Sequence, residues 1–501
     1  MRRNLQFLSG IIISILVGNY LSACQPQVGA FSSGAVDVQQ TTEAVQINEV
    51  QDPPISTQLP GRPVYSPGEL VDYVAQTGDT LPTLATRFNT TVEEIRQANP
   101  FIPDSATTMP PGMPMQIPIY YTPFWGSSYQ ILPDSLFING PSLVDFNTSI
   151  FVSEHPGWLK SYVGYAGGAN RSGAEIVDFV AVKFSVSPRL LLSILEYQSG
   201  ALSNPDPSTR AKTYPLGYQA RDRQGLYRQL LWGTNLLNNG YYSWRKGTLT
   251  SIERKDGRLE RFDPWQNAAT VSLHNFFNSQ MPVDEYHRAI SPEGLAQTYA
   301  QLFGDPWSND VPHIPGSLEQ PPLTLPFAPG ETWAYTGGPH TGWGVGEPFA
   351  ALDFAPPVVV GGCTPTSELA TAIASGVIAR SETGEVVLDL DGDGDERTGW
   401  NIFYLHVATE GRVPVGAQLE TGDPIGYPSC EGGTSTGTHI HIARKYNGEW
   451  ILAEGVLAFN LEGWTAHDGS KPYLGTLTRL SQTVIACECS NQTSFIKSEE
   501  K

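Results

Sequence analysis

Four of the nine histidines in this 501-residue chain lie between positions 340 and 441, and their neighbours suggest a shared task. His439-Ile440-His441 falls in a strand-like run, where a period of two puts both imidazoles on one face. Tyr404-Leu405-His406 places another imidazole in a second strand, while Gly338-Pro339-His340 and Ala351-Leu352-Asp353-Phe354 supply a loop histidine and a carboxylate. Neutral imidazoles with one carboxylate suit zinc, whereas calcium or magnesium calls for more oxygens. A zinc hydrolase uses three protein ligands and keeps one position for water, whose pKa falls to about 7 on the metal. Further histidines can hold that water, take its proton and stabilise an oxyanion. These residue types point to metal-assisted hydrolysis.

The order His340, Asp353, Tyr404-x-His406 and Gly437-Thr438-His439-x-His441, with the turn-rich run from Val413 to Gly426, resembles the lysostaphin-type (LytM-like) zinc endopeptidases. The resemblance implies one zinc ion held by His340, Asp353 and His441, with His406 and His439 acting on water and on the tetrahedral intermediate. It also implies cleavage of peptides in bacterial cell walls. The family usually spaces its first His and Asp four residues apart; here Thr341 to Ala350 are inserted as a Gly-rich loop that must bring Asp353 back. The alternative is a noncatalytic wall-binding protein or amidase activator with a degenerate domain. Such relatives lose ligands, and all five positions are kept here.

Strands must position these residues, and the texture from 323 to 465 is one of short strands with Gly turns, which predicts an all-β domain followed by a tail over 466–501. Pro306, Pro312, Pro315, Pro321 and Pro322 mark a linker over 306–322. Before it, helical periodicity from Ala174 to Phe184, Pro188 to Tyr197, Gly225 to Asn238, Ala268 to Phe277 and Pro292 to Phe303 predicts an all-α middle domain over 131–305. Within it, the run from Arg189 to Gly200 is similar to the catalytic helix of lysozyme-like lytic transglycosylases. Gln198 stands where that family has its acid, and Glu196 is on another face, so a degenerate, glycan-holding or structural domain is expected.

Residues 69–120 have a strand, helix, helix, strand order, with Asp79 or Thr80 capping the first helix and Thr91 the second. The segments Val74 to Ala85, Asn89 to Asn99 and Pro111 to Pro118 resemble the LysM module. That implies a βααβ fold and binding of N-acetylglucosamine chains of peptidoglycan, in a groove between the Gly78 to Leu81 loop and the loop before the last strand.

Met1-Arg2-Arg3 followed by an apolar run from Phe7 to Val17 is too short to span a bilayer and fits a signal peptide over 1–23. Leu21-Ser22-Ala23-Cys24 resembles a bacterial lipobox, which implies a lipidated Cys24, a polar tether over 24–68 and an exported lipoprotein anchored at the envelope and facing the wall. Thirty basic against 50 acidic residues give a net charge of −20, which disfavours nucleic acid. In an exported chain Cys363 and Cys430 are disulfide partners by expectation, while the state of Cys487 and Cys489 is open. Asp389, Asp391, Asp393 and Gly394 imitate the start of a Ca2+ loop; Trp400 at the twelfth position lacks the required carboxylate, and a hairpin turn accounts for the same residues.

Overall fold

The computed structural model describes residues 64–357, 361–489 and 491–500. The expected signal peptide, Cys24 and the tether up to residue 63 lie outside the described residues. No helix among the described residues is long and apolar enough to cross a membrane.

The amino-terminal module pairs strand Glu69–Val74 antiparallel with Pro114–Ile119, and helices Leu81–Phe88 and Val92–Ala98 fall between them. Thr80 and Thr83 bond reciprocally at the start of the first helix, as Thr91 and Glu94 do at the second, so the threonines hold the free N–H groups. Asp79 is no cap. Its buried carboxylate accepts from Tyr73 Oη at 2.6 Å and Arg87 Nη1 at 2.7 Å.

The middle region is built on helices Gly173–Phe184, Pro188–Ser199, Leu226–Lys246 and Ala268–Gln280. The third runs well past Asn238 because Gly240 lets it press against the fourth, where an added Cβ would meet Ser272 Cα at 2.8 Å. The region is not all-α. Hairpins Val163–Ala166 with Ala169–Ser172, and Ser251–Glu253 with Leu259–Arg261, interrupt the helices. Their turns contain Gly167-Gly168 and Asp256-Gly257, the dipeptides that fold back two strands, with all three glycines at positive φ. The helix expected from Pro292 is regular only over Gln297–Phe303, because Gly294 leaves helical geometry and passes within Cβ clash distance of the Arg288 and Ala289 carbonyls.

The carboxy-terminal domain is β-rich, as expected. Its nine-stranded sheet has the order Gln418–Leu419, Gly376–Glu382, Gly384–Asp389, Trp400–Val407, Ile440–Tyr446, Phe349–Ala355, Thr332–Thr341 and Phe495–Lys497, with Glu449–Ile451 also beside Ile440–Tyr446. Every neighbouring pair is antiparallel. The stretch 466–501 is not a tail. Trp464–Asp468, Gly475–Arg479 and Gln482–Ile485 belong to a second, four-stranded sheet, and Phe495–Lys497 closes the edge of the large one. The proline-rich 306–322 stretch is likewise no free linker: His313, Ile314 and Leu318 are buried.

One face of the large sheet packs on the four-stranded sheet through Ile402, Tyr404, Ile440, Ile442 and Leu477. The other face offers Ala351, Phe403, Leu405 and Ala443 to the middle helices in a single continuous core. Alternation along each strand separates the two sets.

Candidate metal centre

Asp353 and His441 are direct cross-strand partners, so both leave the same face of the sheet. His340 comes from the end of Thr332–Thr341, where register irregularities bend the strand. Gly337 lies opposite Asp353, and a Cβ there would meet Asp353 Oδ2 at 2.5 Å, so glycine is what admits the carboxylate.

His340 Nε2 is 3.0 Å from His441 Nδ1 and 3.3 Å from Asp353 Oδ1, and His441 Nδ1 is 3.2 Å from that oxygen. The outward nitrogens face carbonyls: His340 Nδ1 is 2.8 Å from Gly338 O, and His441 Nε2 is 3.3 Å from Gly342 O. Protons placed on those outer nitrogens leave lone pairs on the inner ones. Burial holds His441 below the ordinary imidazole value and hence neutral. Burial would raise Asp353, but the facing His340 and His439 imidazoles outweigh it and hold the carboxyl well below its ordinary range. Asp353 Oδ1 is buried with no hydrogen-bond partner. His340 Nε2, His441 Nδ1 and Asp353 Oδ1 therefore converge in one buried place, a nitrogen and oxygen donor set of the kind that holds a cation. Tetrahedral zinc with bonds of about 2.0–2.1 Å sets its ligand atoms about 3.3 Å apart, and the observed triangle fits that spacing.

His406 is the extra residue between the pairs Leu405–Glu385 and Val407–Gly384. This bulge gives it a φ of +68° and brings its ring centroid within 4.5 Å of that of His439. Its Nδ1 faces Glu431 O at 2.8 Å. Burial, then the His439 and His441 imidazoles, push its pKa down to about 3, so it is neutral with a lone pair on Nε2. His439 sets Nδ1 2.8 Å from Gly437 O and Nε2 3.7 Å from Asp353 Oδ1. Side-chain exposure rises from 2% at His340 to 16% at His439, which puts the opening of the site on the His439 side. All five residues singled out in the sequence thus meet in one place.

Comparison with known proteins divides the chain in the same way. Residues 73–118 match the LysM domain, and residues 130–316 match the family described as LasA, N-terminal domain. Protease LasA of Pseudomonas aeruginosa is 26% identical over 342 aligned positions, spanning 65% of this chain and 75% of that protein. The chain is thus similar to the LysM domain in its amino-terminal module and to a protease, LasA, over 65% of its length. Among solved structures, it is similar to the M23 metalloprotease pseudoalterin from the deep sea, at 23% identity over 33% of this chain and 96% of that one, with a TM-score of 0.29. The catalytic domain of lysostaphin from Staphylococcus simulans is 24% identical over 25% of this chain and 89% of its own, with a TM-score of 0.18.

The match to LasA's amino-terminal domain covers the region in which the sequence suggested a degenerate lysozyme-like helix. There Glu196 is engaged in its own loop, accepting from Leu202 N at 2.7 Å, Ser203 N at 3.2 Å and Ser203 Oγ at 2.5 Å. Gln198 Nε2 is buried without a partner. The inserted loop of the peptidase domain is clamped by this region: Val345 N donates to Asn235 Oδ1 at 2.7 Å, and Asn239 Nδ2 donates to Val345 O at 2.8 Å.

Around the site, Cys363 and Cys430 are bonded. The bridge joins loops flanking His439, since Thr438 N donates to Gly362 O at 3.0 Å and Glu431, next to Cys430, orients His406. Cys487 and Cys489 are bonded to each other. Asp389, Asp391 and Asp393 cluster in a hairpin turn, where Asp389 accepts from Asp391 N at 3.1 Å and Gly394 N at 2.8 Å. Partial burial, then Asp389, push Asp391 up to about 6. The turn uses these acids itself, so the calcium expectation finds no support.

Sequence reasoning missed Tyr473, whose ring stacks on His340 with centroids 4.1 Å apart. It lies in the stretch read as a tail; Gly469 and Gly475 around it were the available sign of a hairpin. The orienting carbonyls of Gly338, Gly342 and Glu431 have no side-chain signature at all.

Proposed function

We propose that this chain is a zinc-dependent endopeptidase that hydrolyses peptide bonds of peptidoglycan, with His340, Asp353 and His441 as the ligands. The observation that carries this reading is the buried triangle formed by His340 Nε2, His441 Nδ1 and Asp353 Oδ1. Zinc, when bound, supplies Lewis acidity that lowers the pKa of water to about 7 and polarises a peptide carbonyl.

The chain's own residues do the rest. Gly338 O and Gly342 O fix the tautomers of His340 and His441, which points the correct nitrogens inward. His406, neutral and oriented by Glu431 O, takes a proton from water at Nε2 and returns it to the leaving amine. His439, the most exposed of the set and with Nδ1 on Gly437 O, donates to the oxyanion of the tetrahedral intermediate from Nε2 when its ring carries both protons. The disulfide between Cys363 and Cys430 holds the two loops that place these rings.

The LysM module binds N-acetylglucosamine chains between the Gly78 to Leu81 loop and the loop before its last strand, raising the local concentration of wall at the peptidase. Lipidation of Cys24 after removal of residues 1–23 anchors the exported chain at the envelope, facing the wall. Digestion of purified peptidoglycan, with products read by mass spectrometry, tests the reading. New amine termini on stem or cross-link peptides that vanish with chelation and return with zinc are expected; muropeptides cleaved only at glycosidic bonds would refute it.

A further inference from the structure

The two LysM loops that flank the proposed glycan groove are both occupied by the chain itself. Immediately before the first loop, Thr77 Oγ1 accepts from Ile314 N at 3.0 Å and lies 3.3 Å from Ile314 O. From the second, Thr108 Oγ1 donates to Pro315 O at 2.7 Å and accepts from Leu318 N at 3.0 Å, Thr108 O accepts from Ser317 N at 2.8 Å, and Thr107 Oγ1 donates to Leu318 O at 2.6 Å. Gly316 passes so close to Pro110 that a Cβ would meet its Cγ at 2.5 Å. Arg245, from the end of the 226–246 helix, donates to Thr77 O and lies against Gly78, where a Cβ would meet Nη1 at 2.5 Å.

The far side of the segment is anchored on the peptidase domain. Ile314 and Leu318 are buried with Ile451, and His313 Nε2 is 2.6 Å from Glu449 Oε2. Threonine hydroxyls and loop backbone, the polar groups a neutral sugar chain would use in this groove, are thus spent on a peptide.

We propose that residues 313–318 are an intramolecular competitor for the LysM groove, so that wall glycan and this segment exclude one another and glycan engagement frees the segment from the module. The proposal rests on the glycan-binding reading of the module given above. Its consequence is that the first contact with wall loosens the junction where module, middle region and peptidase domain meet. An intramolecular competitor lowers apparent affinity by the fraction of molecules in which the groove is open. Weakening the segment therefore tightens sugar binding without a new contact.

Two measurements on the full chain test this, using the hexamer of N-acetylglucosamine as probe. Hydrogen–deuterium exchange of the Ile314, Ser317 and Leu318 amides is followed with and without saturating hexamer. Calorimetry compares the parent with Gly316→Leu, which pushes the segment off Pro110 and leaves the module unchanged. The expected results are faster exchange of those amides with sugar, and at least about tenfold tighter binding by the variant. If the hexamer binds while exchange over 313–318 is unchanged or slower, the segment does not compete, and the glycan reading stands without it. If the hexamer binds neither protein although the segment exchanges freely in Gly316→Leu, the glycan reading falls and the proposal with it. Should the variant not fold, the exchange result on the parent decides alone.

Discussion

Two buried polar clusters in this chain each gather carboxylate and imidazole groups, but only one of them contains a permanent cation. Around Glu449, a guanidinium stands between two carboxylates: Arg245 lies 3.1 Å from both Glu449 Oε1 and Asp134 Oδ2, Tyr241 Oη donates to Glu449 at 2.8 Å, and His313 is 2.6 Å from it. Around Asp353, two imidazole nitrogens and a carboxylate oxygen converge with no guanidinium or ammonium among them. The first cluster is held by ion pairs around one guanidinium, although Arg245 Nε and His313 Nδ1 make no hydrogen bond, and it acts as a rivet between the LysM module, middle region, 313–318 segment and peptidase domain. The second is complete only with a cation. Removing one partner of the first cluster leaves an uncompensated buried charge, whereas the second cluster has the donor types that suit zinc.

This contrast is broken most severely at Asp353. Asp353→Asn keeps the shape of the side chain and removes the anion; peptidoglycan cleavage should fall by more than about a thousandfold and zinc stoichiometry with it, while circular dichroism stays that of the parent. Next comes His406→Ala, which leaves all three ligand atoms in place. Turnover should drop about 10²–10⁴-fold with zinc content unchanged, as metal analysis beside kinetics will show.

The rivet should respond in the opposite sense, in stability and not in metal. Arg245→Met leaves Glu449 and Asp134 buried without their common partner and should cost about 3–5 kcal/mol in denaturant unfolding, with zinc binding retained. Acid sharpens the same point. Burial alone would raise Glu449, but Arg245 and His313 outweigh it and bring its pKa down from 4.5 to about 2. A folded value below the unfolded one means the contribution is full above about 4.5 and is lost as pH falls towards 2. Melting temperature should therefore decline across that window, and less so in Glu449→Gln. The smallest effect is expected at Asn239→Ala, which releases one clamp on the inserted loop at a cost of about 1 kcal/mol.

The proposed metal cluster was legible in the sequence because such chemistry needs particular side chains at particular strand positions. His439, His441 and Asp353 carry their own signature, and alternation along a strand suffices to put them on one face. The LysM module was legible for a similar reason: Thr80 and Thr91 sit where helices need caps. The rivet was not legible. Arg245 and Glu449 are 204 residues apart and of common types, and only tertiary packing reveals that they meet. The proline-rich segment misled in the same way, since proline reports local stiffness and not whether a groove is waiting for it. Tyr473 and the strands of 466–501 were lost because short strands that bury only alternate residues, bounded by glycines, read as a tail when their partners are unknown.

Metal content and wall digestion, measured together on the parent and on His441→Ala, test the central claim most directly. The account predicts one zinc per parent chain with cleavage of peptide bonds in purified peptidoglycan, and loss of both in the folded variant. A parent that cleaves without zinc, or a His441→Ala protein that cleaves as well as the parent, would contradict it.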